Sequence, residues 1–280
     1  MKICIRAHDL GVKGTEEILR KLTELDLDGV QMVCYKAYDD VPYAPGAITP
    51  EKAEDIARQF AAAGKMIPLI GAYFNPVHSD TEKASRCEGI FGEYLEVANA
   101  MGCGVVGSET GSFNDDKWTY HPKNRTPEAL EAVAQTFGRL CDVAAQHGAV
   151  VAMEGAAGHV CHEPEALDAV QKTMNKENLR VIFDLFNYLD QENQFDYLQI
   201  LERGLALFGE RILLFHMKDC LLLADEAPKQ VNYGTGDMNH VEILRRIKAH
   251  NPDAILVLEG TTGEGIHFAV QKIKEIWECV

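Results

Sequence analysis

Residues 150–154 read Val-Val-Ala-Met-Glu, an apolar run that stops at a carboxylate. The pattern returns three times. Val181-Ile182-Phe183 runs into Asp184, Ile212-Leu213-Leu214-Phe215 into His216, and Ile255-Leu256-Val257-Leu258 into Glu259. A short unbroken apolar run reads as a strand covered on both faces. A polar residue at its end then lies at the rim of the sheet. Four such ends, each about one strand–helix unit from the next, place four ligand-type groups on one rim.

Outward from these runs the chain alternates between short β-type segments and longer amphipathic ones. The strands predicted are Ile3–Ala7, Gly29–Cys34, Met66–Ala72, Gly104–Ser108, Ala149–Met153, Arg180–Phe183, Ile212–Phe215 and Ala254–Leu258. The helices predicted between them are Thr15–Leu25, Pro50–Ala63, Thr81–Ala100, Thr126–His147, Pro164–Met174, Phe195–Phe208, His240–His250 and Glu264–Glu278. Thr126 before Pro127 is a helix start, and Gly64, Gly102 and Gly148 are helix stops. Eight strand–helix units in 280 residues predict one α/β domain over residues 1–280, a (β/α)8 TIM barrel with its site at the C-terminal strand ends. A doubly wound open sheet would carry a Gly-rich loop after its first strand, and Ala7-His8-Asp9-Leu10-Gly11 is not one. Long loops follow the second, fourth and seventh strands, on the face where a barrel keeps its chemistry.

The balance of 43 acidic to 27 basic residues, net −16, repels phosphate backbones and anionic membranes. Neither nucleic acid nor membrane is expected as a partner. The opening MKICIRAHDL has no long apolar segment or small-residue cleavage site, and no apolar run spans a bilayer. Eight scattered cysteines without a C-x-x-C read as reduced thiols. A cytoplasmic protein is the expectation.

Side chains alternate along a strand. Below Glu154 lie Ala152 and Val150, below Asp184 Ile182, below His216 Leu214 and Ile212, and below Glu259 Val257 and Ile255. All are apolar, as a barrel interior requires, so the four polar residues should point inward just above it. Three carboxylates and one imidazole form a hard, oxygen-rich set. It suits one divalent metal, Mn²⁺ or Mg²⁺ first, with Co²⁺, Fe²⁺ or Zn²⁺ admissible. The same parity brings in Glu109 above Gly107, Asn75 above Tyr73, and Lys218 above His216. Lys218 is a candidate for a substrate hydroxyl or phosphate. Glu109 is a candidate to brace a ligand or touch substrate, and Asn75 is a further candidate contact. In the first strand either His8 or Asp9 faces inward. Tyr35, Tyr43, Trp118 and Phe186 are loop residues able to shape a pocket.

The segments V-A-M-E-G (151–155), F-D-L-F-N (183–187), F-H-M-K-D (215–219) and V-L-E-G (257–260), with Y-G-T-G-D at 233–237, resemble the xylose isomerase-like TIM-barrel superfamily. The resemblance implies a sugar or sugar-phosphate isomerase or epimerase. By similarity to its ketose 3-epimerases, Glu154, Asp184, His216 and Glu259 hold one metal. Glu154 and Glu259 are also implied as the acid/base pair on either face of an enediolate formed by loss of an α-proton. The resemblance further implies substrate contacts from His159, five residues after Glu154, and from Asn187, where some relatives carry histidine. It suggests a dimer or tetramer acting on a small carbohydrate. The histidines that endonuclease IV adds for three metals are missing, which disfavours DNA repair. Two alternatives differ in class: a lyase of the inosose or keto-polyol dehydratase type, and a non-catalytic sugar-binding subunit.

Overall fold

The structure is a computed structural model describing residues 1–280. Eight parallel strands close a barrel: β1 (Lys2–Arg6), β2 (Gly29–Met32), β3 (Met66–Gly71), β4 (Val105–Glu109), β5 (Val150–Glu154), β6 (Leu179–Asp184), β7 (Ile212–Met217) and, after the small hairpin β8 (Asp219–Leu221) and β9 (Lys229–Val231), β10 (Ile255–Leu258). Around the barrel the order runs β1-β10-β7-β6-β5-β4-β3-β2. The helices are α1 (Thr15–Glu24), the short α2 (Cys34–Ala37), α3 (Pro50–Ala62), α4 (Thr81–Val97), α5 (Pro127–Gln146), α6 (Pro164–Met174), α7 (Tyr197–Phe208), α8 (His240–His250) and α9 (Gly265–Cys279). This is the predicted single (β/α)8 barrel. No helix is long and apolar enough to cross a membrane.

Local chemistry sets the helix boundaries. Thr126 accepts a hydrogen bond from the Ala129 amide at the start of α5, and Pro127 takes the first helical position. After α5 the chain turns through Gly148 at φ +63°, a conformation that costs glycine little. Most predicted bounds shift by one to three residues, and two differences bear on the site. The second strand stops at Met32, because Cys34 already opens the helical turn α2. The loop expected over 218–239 contains the β8–β9 hairpin, whose three-residue strands are too short to show a periodicity.

Strand parity lays out the interior. Cys4, Leu69, Ala152, Ile182, Leu214 and Val257 form one apolar cluster inside the barrel, separate from the large core between strands and helices. Gly107 belongs to the same layer. A Cβ on it would sit 2.7 Å from Ile182 Cδ1 and 3.0 Å from Leu69 Cδ1, so neighbouring side chains already fill its space. Two residues further along, these strands present Arg6, Glu109, Glu154, Asp184, His216 and Glu259; β3 presents Gly71 and then Tyr73.

The layer makes a stability prediction. Gly107→Val should cost about 1–3 kcal/mol through overpacking. Gly138→Ala, on α5 with open space beyond it, should be neutral or stabilising by up to about 1 kcal/mol. Urea midpoints of the two variants measure the contrast. Equal stability would contradict the filled interior.

Candidate metal centre

Glu154 and Asp184 close β5 and β6, His216 is the penultimate residue of β7, and Glu259 follows β10 directly. The first three are buried and Glu259 is nearly so, at 9% exposure. One ligand atom from each lies within 4.8 Å of all the others. His216 Nδ1 is at the focus: 2.9 Å from Glu259 Oε2, 3.1 Å from Glu154 Oε1 and 3.5 Å from Asp184 Oδ2. The four predicted ligands therefore converge at one point.

The other imidazole nitrogen explains which one faces the carboxylates. His216 Nε2 donates to Gln31 Oε1 at 2.6 Å, and Gln31 Nε2 donates to the Tyr73 hydroxyl at 2.6 Å. Burial opposes a charge on the ring, but Glu154, Glu259 and Asp184 raise its proton affinity well above the ordinary imidazole range. With Nε2–H fixed on Gln31, Nδ1 is the nitrogen whose proton a metal would displace. The donor set fits a divalent cation on a second ground. Glu154 Oε2 and Asp184 Oδ2 are buried without a hydrogen-bond partner. Asp184 Oδ2 has Lys218 Nζ at 2.9 Å, but not in a hydrogen-bonding direction. Buried carboxylate oxygens left unspent are costly unless a cation takes them up.

The remaining contacts make the two glutamates unlike. Glu259 Oε1 is clamped by Lys218 Nζ at 2.7 Å and Arg6 Nη1 at 2.9 Å. Burial would raise its carboxyl, but Lys218, His216 and Arg6 hold it well below the usual range. Glu154 Oε1 accepts from Asn187 Nδ2 at 2.7 Å and has His216 Nδ1 at 3.1 Å. Burial raises its carboxyl, with His216 opposing. Asn187 in turn accepts from Lys218 Nζ at 2.8 Å, which fixes the amide so that its NH₂ meets Glu154. Asn187 and Lys218 thus both join the cluster.

The other expected contacts divide. Glu109 pairs in register with Glu154 and lines a cavity of about 190 Å³ with Arg6, His8, Lys36, Tyr73, Trp118 and Glu259. Burial, then the Glu154 charge, pushes its carboxyl up to about 8. His159 stands 3.8 Å from Glu109 and packs on Trp118, its ring lowered to about 4 by burial. Asn75 has another task. It donates to the carbonyls of Ser112 and Asp115 and accepts from the amides of Val77 and Ser112, bracing the β4–α5 loop. In the first strand the inward residue is Arg6. Asp9 holds its guanidinium at Nε and Nη2, and His8 lines the cavity wall. Arg6 and Gln31 were not among the sequence candidates. Parity from Cys4 identifies Arg6, whereas Gln31 was marked only by being polar inside an apolar run. Wider grooves beside α4 and α1, about 620 and 630 Å³, carry charged residues but no convergent set of ligand atoms.

A profile described as xylose isomerase-like TIM barrel matches residues 19–276. The chain belongs to that family. No curated protein matches the sequence. Among solved structures, a D-tagatose 3-epimerase-like protein is 19% identical, with 100% of this chain and 98% of that chain covered and a TM-score of 0.77. Endonuclease IV from Thermus thermophilus is also 19% identical, with both chains covered fully and a TM-score of 0.76. The IOLI protein with a bound zinc atom is 17% identical over 99% of this chain and 96% of that one, at a TM-score of 0.72. At these identities the likeness is one of fold. The barrel hosts both epimerase-like proteins and a nuclease, so the chemistry must be argued from the residues of the site.

Gln31 offers a direct check on the centre. Gln31→Leu removes the acceptor for His216 Nε2 and should weaken Mn²⁺ or Zn²⁺ binding by about 10- to 100-fold. Asp184→Asn should weaken it at least as much. Calorimetric titration of the metal-stripped protein measures both. Unchanged affinity in both variants would place the metal elsewhere.

Proposed function

We propose that this chain is a divalent-metal-dependent isomerase or epimerase of a sugar or sugar phosphate, acting by removal of a proton α to a carbonyl. The observation that carries the reading is the convergence of four ligand atoms within 4.8 Å beside a buried, unpartnered glutamate oxygen, Glu154 Oε2. A divalent cation held there, Mn²⁺ or Mg²⁺ by preference of the oxygen-rich set, would polarise the carbonyl and offset the charge left as the proton departs.

The chain's own groups then have distinct work. Glu154 is the base: one of its oxygens would turn to the cation and the other take the proton, and burial raises its proton affinity. Glu259 lies three strands away around the ring, since β7 and β6 separate β10 from β5. It approaches from a different side. The proton returned to the other face comes from the Lys218–Glu259 pair, whose nitrogen and oxygen are 2.7 Å apart. Asn187 holds Glu154 in place, and Arg6 keeps Glu259 charged. His159 and Glu109 contact substrate from the wall. The D-tagatose 3-epimerase-like fold neighbour and the family membership support this reading.

A lyase has one observation in its favour. Glu109, raised to about 8, is a carboxylic acid at neutral pH and is able to protonate a departing hydroxyl. Proton NMR in D₂O separates the readings on a panel of ketoses and their 6-phosphates with Mn²⁺-loaded protein. Deuterium should enter the α-carbon of a product that has lost no water. Glu154→Gln, with metal content measured alongside, should slow this exchange by about 10²–10⁴-fold. A dehydrated ketone would establish the lyase. Sugar binding without exchange would contradict both and leave a binding subunit.

A further inference from the structure

We propose that the ligand of this site carries an anionic group, a carboxylate or a phosphate, which Lys36 binds at the mouth of the cavity. The proposal rests on the reading of this cavity as the substrate site. Lys36 belongs to α2, the short turn that replaces the predicted end of the second strand. It lines the same cavity as Arg6 and Glu259. Its ammonium makes no hydrogen bond or ion pair, and the Tyr35 ring lies 5.9 Å away.

The other cations around the centre are spent. Arg6 is held by Asp9 and Glu259, and Lys218 by Asp184, Glu259 and Asn187. The rest of the wall does not neutralise Lys36. Trp118 and Tyr73 are uncharged, Glu259 is taken up by Lys218 and Arg6, and no carboxylate lies within ion-pair distance of Lys36. His8 adds a second unspent polar atom. Its Nδ1 is buried without a partner, and its ring, lowered to about 4 by burial and then by Arg6, is a neutral imidazole. In a chain with 43 acidic residues against 27 basic ones, an unpaired cation facing this cavity stands out. A cavity of about 190 Å³ is smaller than the roughly 300–1,000 Å³ of drug-sized pockets, and so suits a ligand of about one sugar unit. A ligand seated against Glu259 in this cavity also meets Lys36, which lines the same cavity. Lys36 is exposed, so water solvates its ammonium, and a neutral hydroxyl there would gain little over that water. A carboxylate or phosphate would form a charge-assisted hydrogen bond with it.

The test is calorimetric binding to Mn²⁺-loaded protein of D-fructose, D-fructuronate and D-fructose 6-phosphate, and of the D-tagatose counterparts. At least one anionic member should bind about 10-fold or more tighter than its neutral parent, the scale of one hydrogen bond to a charged group. Whether the uronate or the phosphate shows the gain identifies the group. In Lys36→Gln the anion-to-neutral ratio should fall to within about 2-fold. The proposal is overturned if no anionic member binds, if the neutral parents bind as tightly, or if the advantage survives in Lys36→Gln. Lys36-dependent anion binding without α-proton exchange would sink the proposed reaction and leave this proposal standing.

Discussion

Three carboxylates crowd one imidazole nitrogen, and the rest of the site follows from that. Charges of one sign within 4.8 Å repel strongly in a buried setting, so the cluster is suited to a cation and needs a rigid frame. The barrel is the frame. Each ligand stands two residues above an apolar side chain of the interior layer, at the end or just past the end of a paired strand. His216 is fixed from behind by Gln31, and Glu259 from the side by Arg6 and Lys218. The positive groups around the centre offset the acidic ones without filling it.

This arrangement breaks the symmetry that two glutamates in one site suggest. Glu154 keeps an unpartnered oxygen and an elevated proton affinity. Glu259 has both oxygens engaged and is held ionised by Lys218, His216 and Arg6. Asn187 links the two halves, because its amide spans Glu154 and Lys218. One carboxylate is thereby left with a free oxygen, and the other is fixed as the anion of an ion-pair network.

The barrel and its four ligands were legible because burial on both faces writes each inner strand as an apolar run, and a period of two then assigns every inward residue. Ala152, Ile182, Leu214 and Val257 fall where that count puts them. What stayed hidden depends on pairings across long sequence distances. Gln31 is one polar residue within Val30-Gln31-Met32, and its partner His216 lies 185 positions away. The first strand was extended to Ala7, although the chain leaves the sheet after Arg6; the inward position therefore fell to His8 or Asp9 instead of Arg6. Asn75 satisfies the parity, but β3 has ended at Gly71, and beyond a strand the count of two no longer predicts direction. The hairpin that carries Asp219 leaves no signal because three-residue strands are too short to show a period. It is held by side chain-to-backbone bonds: Asp219 accepts the amides of Gly234 and Gly236, and Gln230 donates to the carbonyl of Glu259.

A divalent site built by strand parity, with His216 Nδ1 at its focus, is tested most directly by anomalous diffraction at the manganese edge from crystals of Mn²⁺-loaded protein. One ion per chain is expected, bound by Glu154, Asp184, Glu259 and the Nδ1 of His216, with Gln31 still on Nε2. An ion bound through Nε2, or one seated away from these four residues, would contradict it.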